Sequence, residues 1–438
     1  MKIKKKQIVL SVLAIFVMFI PRSLSLAGIF SFRFFIIIAT LIAFLLLGVS
    51  IKISGLIRMP TFWIYIGVVA MVQLAHAEYT TMLGTLLDTL ILYVVLSSCL
   101  SSKSDMDFFV RIFLFVLILY STFCVVETMT GFNPWSLVGA DVNSFVRFGI
   151  HRAYGAYTTS INNGVFLMLT FPLSWYAQKL FLDKRLSTVA IIATWIALIC
   201  TMSRGPILFA IALNIAIVWK SGLFRFFKRN TLKIIIVILI IGCLLMIPAF
   251  RSVLDKFLNM FMAVFDPTVA EEINEDFGSN AVGIGHRNML FSWVWQDLNG
   301  HYWFGVGANT PLHHAWRTSH NTISIKESIE NFYLSTLYHY GIVGLTALIA
   351  FLTEVSCRLF VKYRVERKLF ALKKASDSIL FRFFMTFICY YGVVFTVSAV
   401  DDFKMFFILL AIVEAYYRFI VREQADNADS PRLSPASD

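Results

Sequence analysis

Twelve long apolar runs dominate this chain and leave it very few possible folds. They fall at 7–21, 29–50, 61–77, 82–100, 108–128, 162–181, 187–202, 205–221, 232–250, 331–355, 379–399 and 404–421. A helix needs roughly 20 mostly apolar residues to cross a bilayer. In lipid, every backbone N–H and C=O must also find its partner inside the protein. The expected class is therefore an all-α polytopic membrane protein with about twelve transmembrane helices. The short pair flanking Ser203–Arg204 reads either as two spans or as one re-entrant hairpin. Hydrophobic residues make up 58% of the chain and charged ones 15%, against about half and a quarter in soluble domains. Soluble enzymes, disordered proteins and secreted disulfide scaffolds are excluded on that ground. The six cysteines lie in or beside the apolar runs without a CxxC spacing, and read as small hydrophobes.

The net charge of +12 would suggest nucleic acid in a soluble chain. In a membrane protein it reports topology, because cytoplasmic loops collect Lys and Arg. Met1–Lys6 resembles the charged start of a signal peptide, but Ile20-Pro21-Arg22 offers no small-residue cleavage site. The first run therefore reads as an uncleaved helix whose amino end faces inward. Twelve spans from that start place 27 basic residues inside and 11 outside. The resulting net charges are +17 inside, −3 outside and −2 within spans, the last from Asp88 and Glu414. Both termini are expected on the cytoplasmic side, and no nucleic-acid partner is expected.

This reading divides the chain into six parts: residues 1–128 with spans one to five, an outward loop at 129–161, and 162–250 with spans six to nine. A large outward loop at 251–330, expected to contain short helices, then leads to 331–421 with the last three spans. A polar tail at 422–438 is expected to be disordered. Outward segments this long exceed ordinary connections and point to function.

All eight histidines fall on or near the outward face: His76, His151, His286, His301, His313, His314, His320 and His339. Longer outward loops explain part of this bias, and a polar site titrating near neutral pH explains the rest. The His313-His314 pair and His320 form no recognised metal pattern, so no metal is expected. Outward arginines are few. Arg204, in Thr201–Pro206 (TMSRGP), either snorkels or pairs with an acid, or serves as an anion clamp at a helix amino end. Arg147 and Arg152 sit among small and aromatic residues in the first outward loop. Asn162 and Asn163, in TTSINNG at 158–164, either cap the sixth span or contact sugar. Arg287 lies in HRNMLFSW, whose 289–295 stretch is expected to form a short amphipathic helix on the bilayer. Trp303 precedes FGVGAN, whose glycines permit a tight turn. His320 and Glu330 are the candidate bases, or else loop salt-bridge or capping groups. Gly341 and Gly344 are expected to allow close helix packing.

Taken in order, RAYGAYTTSINNG at Arg152–Gly164, TMSRG at Thr201–Gly205, HRNMLFSW and FGVGAN between His286 and Asn309, and ENFYLSTLYHYGIVGL at Glu330–Leu345 resemble one family. It is the O-antigen polymerase and ligase family of bacterial inner-membrane glycosyltransferases, and the likeness spans roughly residues 130–350. The resemblance implies a GT-C-like helical fold with its active site facing the periplasm. An oligosaccharide would pass from undecaprenyl diphosphate to an acceptor sugar, with no cofactor and no nucleotide sugar. Arg204, Arg287, Arg152 and Arg147 would hold the diphosphate. Glu330 or His320 would act as base, and Asn162, Asn163, Trp303 and Asn331 would contact sugar. A chain-length regulator is a possible partner. Ligases typically carry His-Asn where this chain reads Glu330-Asn331, and His320-Asn321 lies ten residues earlier. That departure favours a polymerase of lipid-linked repeats in O-antigen, capsule or exopolysaccharide synthesis. An O-antigen ligase acting on lipid A core is the alternative, and a lipid-linked oligosaccharide flippase is the alternative of another class.

Overall fold

The computed structural model describes residues 5–21, 55–139, 146–147, 150–180, 184–220, 284–317, 323–326, 329–397 and 403–429, with short pieces between 24 and 48 and between 231 and 262. It is mostly helical. The helices are α1 (Lys5–Phe19), α2 (Pro60–Ala75), α3 (Tyr79–Leu86), α4 (Leu92–Cys99), α5 (Lys103–Thr130), α6 (Ser160–Lys179) and α7 (Lys184–Cys200). They continue with α8 (204–220), α9 (Ile284–Asp297), α10 (Phe332–Leu369), α11 (Ile379–Val393) and α12 (Phe403–Asp429). A π-helical turn, Leu87–Ile91, joins α3 to α4. Among the described residues, four helical stretches are long and apolar enough to cross a membrane: Tyr79–Cys99, Lys103–Thr130, Phe332–Leu369 and Ile379–Thr396. The expected span at 232–250 and most of 29–50 lie outside the described residues.

Three details differ from the sequence reading. Among the described residues, three pairs of short antiparallel strands occur, Ser25–Leu26 with Phe30–Ser31, Val146–Arg147 with Ile150–His151 and His314–Arg317 with Ile323–Lys326, which the all-α expectation did not include. Helix α12 runs on to Asp429, so 422–429 is helical; Glu423, Gln424 and Ala425 are good helix formers. Helix α10 also continues to Leu369, well past the expected end near 355.

Helix α12 is the hub. Its run MFFILLAIV is apolar on every side, and residues 404–416 are all buried, as a helix without a polar face must be. Helix α4 packs along it. Helices α5, α6 and α7 pack on one another, α1 lies against α5, and α10 lies between α2 and α11. Polar groups gather at two ends. At the end read as inward, Glu366 of α10 caps α11 by accepting from the Ile379 and Leu380 amides at 3.1 and 3.0 Å. The hydroxyls of Ser378 and Tyr416 also donate to it. There too Lys362 pairs with Glu414, the acid expected within a span. The residues read as outward meet at the other end.

Gly341 does more than permit close packing. Its φ of 67° and ψ of −169° break α10, and a Cβ there would overlap the backbone of Trp303 and Phe304. A broken helix orphans N–H and C=O groups that need new partners. The 302–307 turn supplies them: Ile342 N donates to Tyr302 O and Val343 N to Trp303 O. In return Val306 N donates to Tyr338 O and Gly307 N to His339 O. Gly305 and Gly307, both at positive φ, let that turn lie in the gap. Gly341→Ala is expected to cost about 1–3 kcal/mol in backbone strain alone, with the overlap adding to it. The readout is loss of monodisperse folded protein on size exclusion; unchanged yield and unfolding midpoint would count against the break being structural.

Candidate functional site

The site begins with a loop that ought not to hold its shape among apolar helices, residues 152–157. A buried carboxylate organises it. Glu127, near the end of α5 and fully buried, accepts from Tyr154 N at 3.1 Å, Gly155 N at 2.8 Å and the Asn133 amide at 2.9 Å. On the other side, the Tyr120 hydroxyl accepts from Ala156 N and donates to Asn163 Oδ1 at 2.7 Å. The Asn163 amide donates to Ala153 O at 3.1 Å. Gly155 sits at φ +60°, and a Cβ there would strike the Tyr120 hydroxyl.

The loop presents Arg152, which is buried. Its Nε donates to Thr201 O at 3.0 Å and Nη2 donates to Ser203 Oγ at 2.9 Å. Ala153 N also bonds Cys200 O, so the loop is sewn to the tight turn between α7 and α8. Met202 in that turn has a positive φ of 49°. Arg204 opens α8 and is half-buried. Burial lowers the Arg152 pKa to about 10; Tyr154 opposes the shift, Arg204 adds to it and Glu330 opposes it. Arg152 therefore stays a cation at neutral pH and lies within electrostatic reach of both Arg204 and Glu330. A guanidinium fork of this kind can hold an anion bidentately.

Lys404 completes this end. It is the second residue of α12, 4% exposed, and its ammonium lies 4.9 Å from the centre of the Tyr157 ring. Among the described residues it has no carboxylate partner. It also lines a cavity of about 250 Å³ shared with His339 and Tyr340 of α10. The FGVGAN turn closes one side of that cavity. Glu78 holds the turn by accepting from Ala308 N at 2.9 Å and Asn309 N at 2.7 Å. His339 Nδ1 donates to Gly307 O at 2.7 Å.

The expected site residues fare unequally. Arg152, Arg204 and Glu330 come together. Asn163 does not cap: it is fully buried, and its amide bonds Tyr120 and Ala153. Asn162 is buried in the first turn of α6, where the cap is Thr159, whose hydroxyl accepts from Asn162 N. Asn331 is the cap of α10, its Oδ1 accepting from Leu334 N at 3.0 Å. Trp303 is 67% exposed and anchors the α10 break through its carbonyl. Arg147 lies in the hairpin at 146–151 and Arg287 in the first turn of α9, where the structure describes the backbone alone. His320 lies outside the described residues. Helix α9 covers the expected amphipathic stretch. Its Leu290 and Val294, with Leu298, pack on Leu312, Ile329, Leu334 and Tyr338 of the same chain, while Phe291 and Trp295 stay exposed. His314 is occupied by Asp297 at 2.9 Å and stacked on Trp293. Among the described residues no three His, Cys, Asp or Glu side chains gather as metal ligands would.

Sequence reasoning missed Glu127, Glu78 and Lys404 as parts of the site. Each carried a signal: an acid or base at the edge of an apolar run must be paired or functional. Glu127 and Lys404 lie at such edges, and Glu78 lies in the four-residue gap between two runs.

The chain is thus a helical protein of membrane type in which Arg152 lies within electrostatic reach of Arg204 and Glu330 and Lys404 lines a cavity. Residues 189–349 match a family model described as O-antigen ligase. The matched stretch is a little over a third of the chain. It starts later than the motifs at 130–350, and includes Arg204, Arg287 and Glu330 but not Arg152 or Lys404. Over that stretch the chain is similar to membrane enzymes of polysaccharide assembly, and the match bears equally on polymerases and ligases. No curated protein matches the chain.

Proposed function

We propose that this protein is a polysaccharide polymerase of the bacterial inner membrane. It would transfer an oligosaccharide from undecaprenyl diphosphate to the acceptor sugar of a second lipid-linked repeat, at the periplasmic face. The observation that carries the reading is the buried Arg152, tied to the turn at Thr201 and Ser203 and within electrostatic reach of Arg204 and Glu330. Diphosphate leaves readily when its developing charge is held, and two fixed guanidiniums do that without reorganising. Arg287 belongs to the same diphosphate set on sequence grounds, and the exposed Trp303 indole suits a sugar face. The acceptor hydroxyl attacks the anomeric carbon, the bond from that carbon to the diphosphate oxygen breaks, and Glu330 takes the hydroxyl proton.

Glu330→Gln keeps the side chain's size and removes the base. It is expected to abolish polymer while leaving the protein in the membrane, read as polymer on a silver-stained gel against a blot of the membrane fraction. Normal long polymer would remove Glu330 from the mechanism. The description of the matched family supports a second reading, transfer of finished polymer to lipid A core by a ligase. Deleting the gene separates the readings. Single repeats accumulating on carrier at the outer face mean polymerase, and long polymer stranded on carrier means ligase. Repeats trapped on the cytoplasmic face mean a flippase. The pairing of Glu414 with Lys362 accounts for one of the two acids within spans without a transport role.

A further inference from the structure

The cavity that Lys404 lines is unusual for a space among apolar helices. Hydroxyls line it: Thr81, Thr85 and Thr89 from one side, Ser335 and Thr336 from α10, and Tyr65 from α2. The three threonines fall four residues apart and so share a helix face. The π-helical turn at Leu87–Ile91 carries Thr89, and such turns often mark functional sites. Thr85 and Thr89 donate their protons back to the carbonyls of Thr81 and Thr85, which leaves hydroxyl lone pairs to accept from a guest. Exposure falls from Asn309 and Thr81 at the mouth to the buried Thr89, Thr336 and Lys404 within. An alkyl chain would waste these hydroxyls, whereas a polyol uses them. At about 250 Å³ the space is smaller than the roughly 300–1,000 Å³ of ordinary small-molecule pockets, so it suits one sugar residue and not a whole repeat.

Lys404 fixes which sugar. Its ammonium borders this cavity and also stacks on Tyr157, in the loop that carries Arg152. An anionic group at this edge of the cavity would meet that ammonium. We propose that the cavity holds the sugar attached directly to the diphosphate carrier, with Lys404 at the seam where that sugar meets the diphosphate. The inference rests on the reading of Arg152 and Arg204 as a diphosphate site.

The test uses the full-length protein in nanodiscs and two probes: undecaprenyl diphosphate, and lipid-linked saccharide extracted from a strain deleted for this gene. Wild type is expected to bind the saccharide-bearing lipid at least about fivefold more tightly, the worth of one or two hydrogen bonds. Thr85→Val combined with Ser335→Ala should erase that preference and leave affinity for the bare diphosphate lipid within about twofold. Lys404→Met should weaken both lipids by about tenfold, as expected for loss of a charged contact. Equal affinity of wild type for the two lipids overturns the proposal. So does a hydroxyl variant that keeps the preference or that loses both lipids alike, and so does a Lys404→Met protein that binds both as wild type does. Failure of the polymerase reading looks different: the preference and its loss would stand while the gene deletion left polymer intact.

Discussion

Arg204→Ala is expected to reduce polymer at least a hundredfold while the protein stays folded in the membrane. Removing one preorganised donor from a site that holds developing negative charge typically costs 10²–10³ in rate. Arg204 suits the test because it is half-buried at the start of α8. By contrast, the guanidinium of Arg152 also ties the 152–157 loop to Thr201 and Ser203, so its loss confounds fold with function. Arg204→Lys separates charge from fork geometry. A partial rescue points to charge alone, and none points to bidentate recognition. Arg287→Ala should behave like Arg204→Ala. The measurement is polymer per unit of membrane-inserted protein, and full-length polymer from either alanine variant would remove that arginine from the site.

Glu127→Ala is the second large effect, and it acts through the loop. The change leaves the amides of Tyr154 and Gly155 without their acceptor and takes one of two acceptors from the side chain of Asn133. Each buried donor left unsatisfied costs about 1–3 kcal/mol, so the loop is expected to leave its place and take Arg152 with it. Polymer should fall with Glu127→Ala about as far as with Arg204→Ala. Glu127→Gln restores an acceptor oxygen and should recover part of the activity. If Glu127 instead served only the stability of α5, the alanine variant would lose protein from the membrane in proportion to polymer. Unchanged specific activity would therefore sink the bracing role.

Much of the helical content was legible from the apolar runs because lipid, or a core of this size, leaves an apolar run little choice. Helices lie over the expected segments at α1, α2, α5, α6 and α7, and again at α10, α11 and α12. Their ends were less legible. Amphipathic helix formers carried α10 and α12 onward after the apolar signal stopped. The candidate site was half legible. Arginines outside the inward loops are few, which singles out Arg152 and Arg204, and Glu330 borders the run at 331–355. The asparagines misled because Asn serves equally as ligand, cap or internal brace, and only its neighbours decide. Asn163 meets Tyr120 across 43 positions of sequence, a pairing that no local pattern announces.

The sequence by itself determined the class: a helical membrane-type chain with a few charged residues at the edges of its apolar runs. Burial and charge are properties of segments, so they can be read along the chain. The tertiary structure decided which distant groups meet. It joined Arg152 to Ser203, Lys404 to Tyr157 and Glu78 to Asn309, and it set the broken helix at Gly341 against the glycine turn. Those contacts depend on how helices pack side by side, and packing depends on shapes that meet only after the chain has folded.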